Sequence, residues 1–218
     1  HFTDPRYWIW LYQLENEIRQ HIPMIFYTIW DDIPYPFYNR NYYRSDDMLL
    51  CISKQTKNIV ENVLRDHPKP GRIHYVPHGI DENKYFPIEN DLEFEVFKED
   101  ILKEDHDFVV LHNSRNIRRK NQSDIILAWK IFLDQLPVEK AKRCMLLLKT
   151  EPVFDHGTDL NAVIDTLCDP EIHKVKIINK RFDDKQLNYL YNCSDAHMFM
   201  TDNEGWGLGL TESLTAGR

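Results

Sequence analysis

The chain has 218 residues, 42% hydrophobic and 28% charged, the balance of an ordinary globular protein with one large domain or two small ones. Its 35 acidic residues outnumber 27 basic ones, a formal net charge of −8 that argues against non-specific nucleic-acid binding, which needs a broad basic footprint. No apolar run reaches the roughly 18–20 residues of a membrane-spanning helix.

In chain order, residues 6–21 place Tyr7, Trp10, Leu11, Leu14 and Ile18 at helical spacing with charges between them. Residues 24–30, opened by Pro23, are short, aromatic and β-branched and predict a buried strand; Pro34 and Pro36 make the following segment a loop. Residues 48–52 predict a second strand, Ser53 is placed to cap a helix over 54–65, and 72–76 predict a third strand. Residues 77–90 join two prolines, a glycine and several turn-forming side chains, marking a boundary, and an acidic stretch follows over 89–107. Beyond it strands are expected over 108–112, 144–149, 175–178 and 196–200, with helices over about 122–135, 160–167 and 184–192 and from about Leu210. Repeated βα units with apolar strands imply a parallel sheet covered by helices, doubly wound in the second unit because crossovers are right-handed.

The four cysteines (Cys51, Cys144, Cys168, Cys193) include no Cys-x-x-Cys pair, so reduced, mostly buried thiols and a cytoplasmic setting are expected. The chain begins at His1 without an initiator Met or a signal-peptide pattern, and reads as an excerpt from a longer protein. His74 and His78 straddle a turn without acidic or cysteine partners, so no zinc site is expected there. The aromatic residues at 7–12 and 35–43 read as core and loop packing, with an acceptor groove as the alternative.

Glycine is scarce, seven in all, yet four fall in the last fourteen residues. The segment from Thr201 through Glu204, Gly205, Trp206, Gly207, Leu208 and Gly209 to Glu212 lies after an apolar strand and before a short helix. That arrangement points free N–H groups at an anion at the carboxyl end of a strand. It matches neither the Walker loop nor the full dinucleotide fingerprint. Glu204 and Glu212 bracket the glycines; a carboxylate suits a vicinal diol of ribose or a sugar ring, and equally Glu212 would favour the helix dipole and Glu204 would be solvated. Ser114-Arg115-Asn-Ile-Arg118-Arg119-Lys120 sets four cations within six residues just beyond a strand, which points to an anionic ligand.

Five segments together resemble the group-1 (family-4) retaining glycosyltransferases of GT-B architecture. They are Ser114-Arg115-x4-Lys120, Leu190-Tyr191-Asn-Cys-Ser-Asp195-Ala196, Glu204-Gly-Trp-Gly-Leu…Glu212 with its E-x7-E spacing, Ser53-Lys-Gln-Thr56, and Val76-Pro-His-Gly-Ile-Asp81. The resemblance implies two Rossmann-like doubly wound parallel-sheet domains. Residues 1–80 would be the C-terminal part of the acceptor-side domain, 81–92 a linker, and 93–218 a donor-binding domain truncated at its C-terminal end. It implies a hexosyltransferase that moves a hexose from a nucleotide-diphosphate sugar to a glycan, lipid or protein hydroxyl with retention, without metal or other cofactor. Arg115 and Lys120 would hold the diphosphate and stabilise the leaving group, and Glu204 would bind sugar hydroxyls. Glu212 would bind the ribose, and Gly205, Trp206, Gly207, Leu208 and Phe182 would complete the donor site, with the base chosen around residues 179–182.

There are departures from the family pattern. His78 replaces an Asn, Gly209 a Pro and Asn121 a common Gly, with Gly79 expected to carry the special backbone angle of the interdomain turn. Trp30 stands where the family often has a histidine facing the donor sugar; Asp31, Asp32 or His1 are its candidate substitutes, or this subgroup dispenses with it. The alternatives to transfer are a nucleotide-sugar-binding domain without turnover and a nucleotide-sugar epimerase.

Overall fold

Short apolar strands, each followed by a helical return, can only pair in parallel, and two parallel sheets carry the fold. The computed structural model describes residues 1–218 and divides into one unit of residues 1–79 with 203–207 and a second of residues 80–202 with 208–218.

In the first unit β1 (Ile25–Thr28), β2 (Met48–Cys51) and β3 (Ile73–Tyr75) lie in that order, with Phe26 opposite Leu49 and Cys51 opposite Tyr75. Phe26, Thr28, Leu49 and Cys51 are buried and their neighbours less so, the period of two of a sheet packed chiefly on one face. That face meets α4 (Lys54–Val63), whose Ile59, Val60 and Val63 join Phe26, Tyr43, Leu49 and Cys51 in one cluster. Ser53 caps α4 as expected, accepting from the Thr56 N–H at 3.0 Å, while Thr56 Oγ1 donates to the Trp30 carbonyl at 2.8 Å. The Ser-x-x-Thr pattern thus starts a helix and ties that start to the exit of β1.

Two segments of this unit differ from expectation. Residues 6–21 form a 3-10 turn and two short helices, α1 (Ile9–Gln13) and α2 (Glu15–Ile18), because Tyr7, Trp10 and Leu14 of the apolar stripe stay exposed and no packed face sustains a single long helix. After the proline loop, α3 (Arg40–Ser45) buries Tyr43, an element that sequence periodicity leaves unseen. Gly79 does not carry a left-handed backbone, and a Cβ there would meet nothing within 4 Å, so the special angle expected at this turn is absent. His78 Nδ1 lies 2.9 Å from the Gly79 carbonyl instead.

In the second unit β4 (Phe108–Asn113), β5 (Cys144–Lys149), β6 (Val175–Ile178) and β7 (Ala196–His197) form one parallel sheet in the order β6-β5-β4-β7. Successive residues of β4 and β5 face opposite cores. Val109, Leu111, Met145 and Leu147 pack with Leu190 and Tyr191 of α9 (Asp184–Asn192) and with Ile101 and Leu102 of α5 (Leu92–Leu102). Val110, Leu146 and Leu148 pack with Ile125, Ile126, Trp129 and Leu133 of α6 (Gln122–Asp134), Ala141 of the short α7 (Val138–Ala141) and Leu160 of α8 (Leu160–Leu167). Helices therefore cover both faces, and both residue sets of each strand are apolar. A final helix, α10 (Leu208–Thr215), follows β7.

The acidic stretch at 89–107 contains a helix. Asp91 caps α5, accepting from Glu93 and Phe94 N–H, and Phe94, Ile101 and Leu102 are buried while Glu93, Glu95 and Glu99 face water. Residues 80–90 are held to α9 by two asparagines one turn apart: Asn188 Oδ1 accepts from Phe86 N–H at 3.1 Å and Asn192 Oδ1 from Ile88 N–H at 2.9 Å. No helix is long and apolar enough to cross a membrane. All four cysteines are unpaired, Cys51, Cys144 and Cys193 buried.

Candidate functional site

In the order β6-β5-β4-β7 the chain steps outward from β4 to β6 and then crosses back to lay β7 on the other side of β4. The segments leaving β4 and β7 therefore start side by side from adjacent strands at the carboxyl end of the sheet, the switch point where open α/β sheets take ligands. The basic segment 115–120 leaves β4 and the helix α10 follows β7, so both lie at this switch point.

Buried side chains hold the β4 exit loop. Asn116 is buried; its Nδ2 donates to the Thr158 carbonyl at 2.7 Å and the Glu151 carbonyl at 3.1 Å, and its Oδ1 accepts from Thr158 N–H at 3.0 Å. The β5–α8 loop crosses so closely that a Cβ on Gly157 would lie 2.2 Å from the Asn116 carbonyl oxygen, which only glycine tolerates. Gln122, the first residue of α6, presents its Nε2 to Ser114 Oγ (3.0 Å), the Arg115 carbonyl (3.1 Å) and Thr150 Oγ1 (3.0 Å), sharing two hydrogens among them. His112 Nδ1 lies 2.9 Å from the Met198 carbonyl and so carries the proton, leaving Nε2 to accept from the Ser114 hydroxyl at 2.7 Å. Burial depresses the His112 pKa to about 4, so the ring is neutral near pH 7.

From this frame Arg115 is exposed, its guanidinium 5.7 Å from the centroid of the Phe154 ring. Lys120 is 9% exposed, with Nζ 5.6 Å from the Phe199 ring. The 3-10 turn Arg118–Lys120 ends at Asn121, whose φ of +46° is a left-handed backbone that Asn adopts more readily than most residues with a side chain. Asn121 Nδ2 donates to Asp202 Oδ1 at 2.7 Å, and Asp202 N–H donates to the Arg119 carbonyl at 2.9 Å.

On the β7 side, Gly207 at φ +83° turns the chain into α10, and a Cβ on Gly209 would stand 3.2 Å from the Asn113 carbonyl, so this glycine lets the helix lie close to β4. Glu212 is half-buried; its Oε2 accepts from Tyr191 Oη at 2.6 Å, and Tyr191 Oη accepts from Asn113 Nδ2 at 2.8 Å. Burial and the neighbouring Glu212 charge push the Tyr85 pKa up to about 12.

Arg115 and Lys120 thus follow β4, and Leu208 and Glu212 belong to the helix that follows its neighbour β7, all four in the second unit. Phe182 follows the edge strand β6, two strands from β4, where its ring meets Phe97 edge-on and Lys149 Nζ lies 5.5 Å from its centroid. It lines a shallow cleft with Arg181, Asp183, Asp184 and Gln186, and Asp183 there closes a capping box with Gln186. Glu204, Gly205, Trp206 and Gly207 belong to the segment that packs with the first unit, where a Cβ on Gly205 would come 2.9 Å from the Ile29 carbonyl. Trp30 turns its indole N–H to the Asp32 carbonyl (2.8 Å) and packs edge-on to Tyr38. His1 is stacked on Phe26 and lies 3.2 Å from Asp46 Oδ1 and 3.0 Å from Tyr12 Oη. No group of three or more His, Cys, Asp or Glu side chains is arranged to hold a metal ion. His112, Asn116, Gln122 and Thr150 escaped the sequence reading because a buried polar side chain within an apolar strand or at a helix start leaves no periodic signal.

No protein-family model matches the chain, and no curated protein sequence matches it. Solved structures do. Trehalose-6-phosphate synthase OtsA superposes with a TM-score of 0.71 at 14% identity, over 99% of this chain and 54% of that one. HepE of Anabaena, in complex with UDP-glucose, gives 0.67 at 18% identity over 90% and 52%. Sucrose-phosphate synthase of Thermosynechococcus elongatus gives 0.62 at 16% identity over 94% and 51%. The chain spans about half the length of each of these, and the architecture it shares with them is that of the GT-B glycosyltransferases.

Proposed function

We propose that the chain is part of a retaining glycosyltransferase whose nucleotide-sugar site lies at the switch point where β4 and β7 end. The observation that carries this is the pairing of a basic loop, Arg115 to Lys120, with a hydrogen-bonded carboxylate, Glu212, at the one place where the strand order reverses. Cleaving a nucleotide-diphosphate sugar puts negative charge on the departing diphosphate. Arg115 would grip it bidentately and Lys120, held in low-dielectric surroundings, would act as a point charge, so that no metal is required. Glu212 would accept from the ribose hydroxyls and Glu204 from hydroxyls of the hexose, with Gly205, Trp206, Gly207, Leu208 and Phe182 completing the donor contacts. The acceptor would be a hydroxyl of a glycan, lipid or protein, attacked from the face the nucleotide leaves. That two of the similar structures are synthases of phosphorylated disaccharides and a third holds UDP-glucose supports this reading and points to uracil as the base to try first. A cytoplasmic setting belongs to the same proposal and rests on the unpaired, buried cysteines.

A second reading, donor binding without turnover, is favoured by Trp30, whose indole is committed to the Asp32 carbonyl at the place where the family often has a histidine. Thermal unfolding with UDP, GDP and ADP and their hexose conjugates tests the site. A ligand at a hundredfold excess over Kd stabilises by about 2.7 kcal/mol, and Arg115→Ala is expected to abolish the shift. Absence of any shift in a cooperatively unfolding chain overturns the donor site; a shift in a full-length protein that never forms product selects the binding reading.

A further inference from the structure

We propose that Tyr191 is a positioning residue that fixes the Glu212 carboxylate for ribose recognition, through a directed relay running from Asn113 to Tyr191 to Glu212. The proposal rests on the reading of Glu212 as the ribose-binding group.

The direction of the relay follows from donor counting. The Asn113 amide nitrogen has only hydrogens to offer, so at 2.8 Å the Tyr191 oxygen must accept from it. The single phenolic hydrogen is then free for Glu212 Oε2, at 2.6 Å the short distance of a hydroxyl donating to a carboxylate. Tyr191 itself cannot drift: it is fully buried, with Tyr85 packed edge-on at 5.9 Å and His197 tilted against it at 5.9 Å. Burial and the adjacent carboxylate raise its pKa, so the hydrogen stays on the oxygen across the physiological range.

The three groups come from three elements, the end of β4, α9 and α10, so the relay sets the rotation of one helix's carboxylate from the strand beneath it. With Oε2 held by Tyr191 and the carboxylate also hydrogen-bonded by Tyr85, the lone pairs left over would meet a diol in one fixed orientation. Without the Tyr191 phenol the carboxylate loses the hydrogen bond that sets its rotation from β4. Recognition of ribose hydroxyls should then suffer, and recognition of base and phosphates should not.

The experiment is calorimetric titration of the chain and its Tyr191→Phe variant with UDP, GDP and ADP, each beside its 2′,3′-dideoxy counterpart. Wild type is expected to prefer the ribonucleotide by tenfold or more. In Tyr191→Phe that preference should fall at least threefold while affinity for the dideoxy nucleotide changes less than twofold. An undiminished preference, or equal weakening of both nucleotides, overturns the positioning role and leaves the donor site standing. Binding of no nucleotide by wild type, or binding without ribose preference, overturns the reading of Glu212 and the relay with it. If Tyr191→Phe does not unfold cooperatively, Asn113→Ser, which removes the group that directs the phenol, carries the same expectation and the same refutation.

Discussion

Asn121 shows how much one side chain decides at the basic loop. Its left-handed backbone ends the turn that carries Arg118, Arg119 and Lys120, and its amide bonds to Asp202. Replacing it with Ala should cost about 1–2 kcal/mol of stability for the backbone alone, and more from the lost amide contact. Asn121→Gly should recover the backbone term and lose only the bond. Equal stability of the Ala and Gly variants in urea unfolding would show that the φ of +46° is not what the position requires. At this scale the sequence was informative about charge and poor about partners. Four cations in six residues point to an anionic ligand, but nothing in them reveals that Asn116, hydrogen-bonded to the β5–α8 loop, and Gln122 hold the backbone from which Arg115 projects.

At the scale of elements, local chemistry and burial agree in most places. β5, β6, α8 and α9 begin and end where apolar runs, caps and turn residues predict. The start of α4 carries a second function, since Thr56 reaches the carbonyl of Trp30. Thr56→Val keeps the side-chain volume and removes that donor, leaving a carbonyl unsatisfied, and should destabilise the first unit by about 1–3 kcal/mol. Ser53→Ala, which removes the cap, should cost about 1 kcal/mol. A Thr56→Val chain as stable as wild type to thermal unfolding would mean that the tie between α4 and β1 contributes nothing. The elements that sequence reading missed are those whose signal is masked. The glutamates of α5 read as solvating charge until Phe94, Ile101 and Leu102 are seen to form its buried stripe, and α3 is too short for periodicity to register.

The whole molecule carries an acid-sensitive term of definite sign. Burial lowers the pKa of His112 and His197 to about 4, and for His197 the neighbouring His112 charge adds to the effect. Unfolded imidazoles bind protons near pH 6.5, so below that pH the unfolded chain holds more protons than the folded one. Stability present above pH 6.5 is therefore lost as pH falls toward 4, by up to about 3 kcal/mol per imidazole. Asp46 acts in the opposite sense: burial raises its pKa to about 7, so it favours the folded first unit as pH falls from 7 toward 4. The melting temperature of a His112→Gln, His197→Gln double variant should consequently depend less on pH between 6.5 and 4.5 than that of wild type. Parallel profiles for the two proteins would remove the histidines as the cause.

The sequence by itself determined the alternation of strands and helices, the parallel doubly wound sheet of the second unit, and the residue types that follow β4 and β7. These follow from period, caps and turn chemistry, which act over a few residues. Tertiary structure alone decided which carboxylate is held by which phenol, where His112 leaves its proton, why Gly157 and Gly209 must lack a Cβ, and that residues 203–207 pack with the first unit. Each of those depends on groups up to 176 residues apart in the chain meeting at van der Waals or hydrogen-bond distance (Ile29 and Gly205 being the most distant pair). Only the packed sheet and its crossovers bring such groups together.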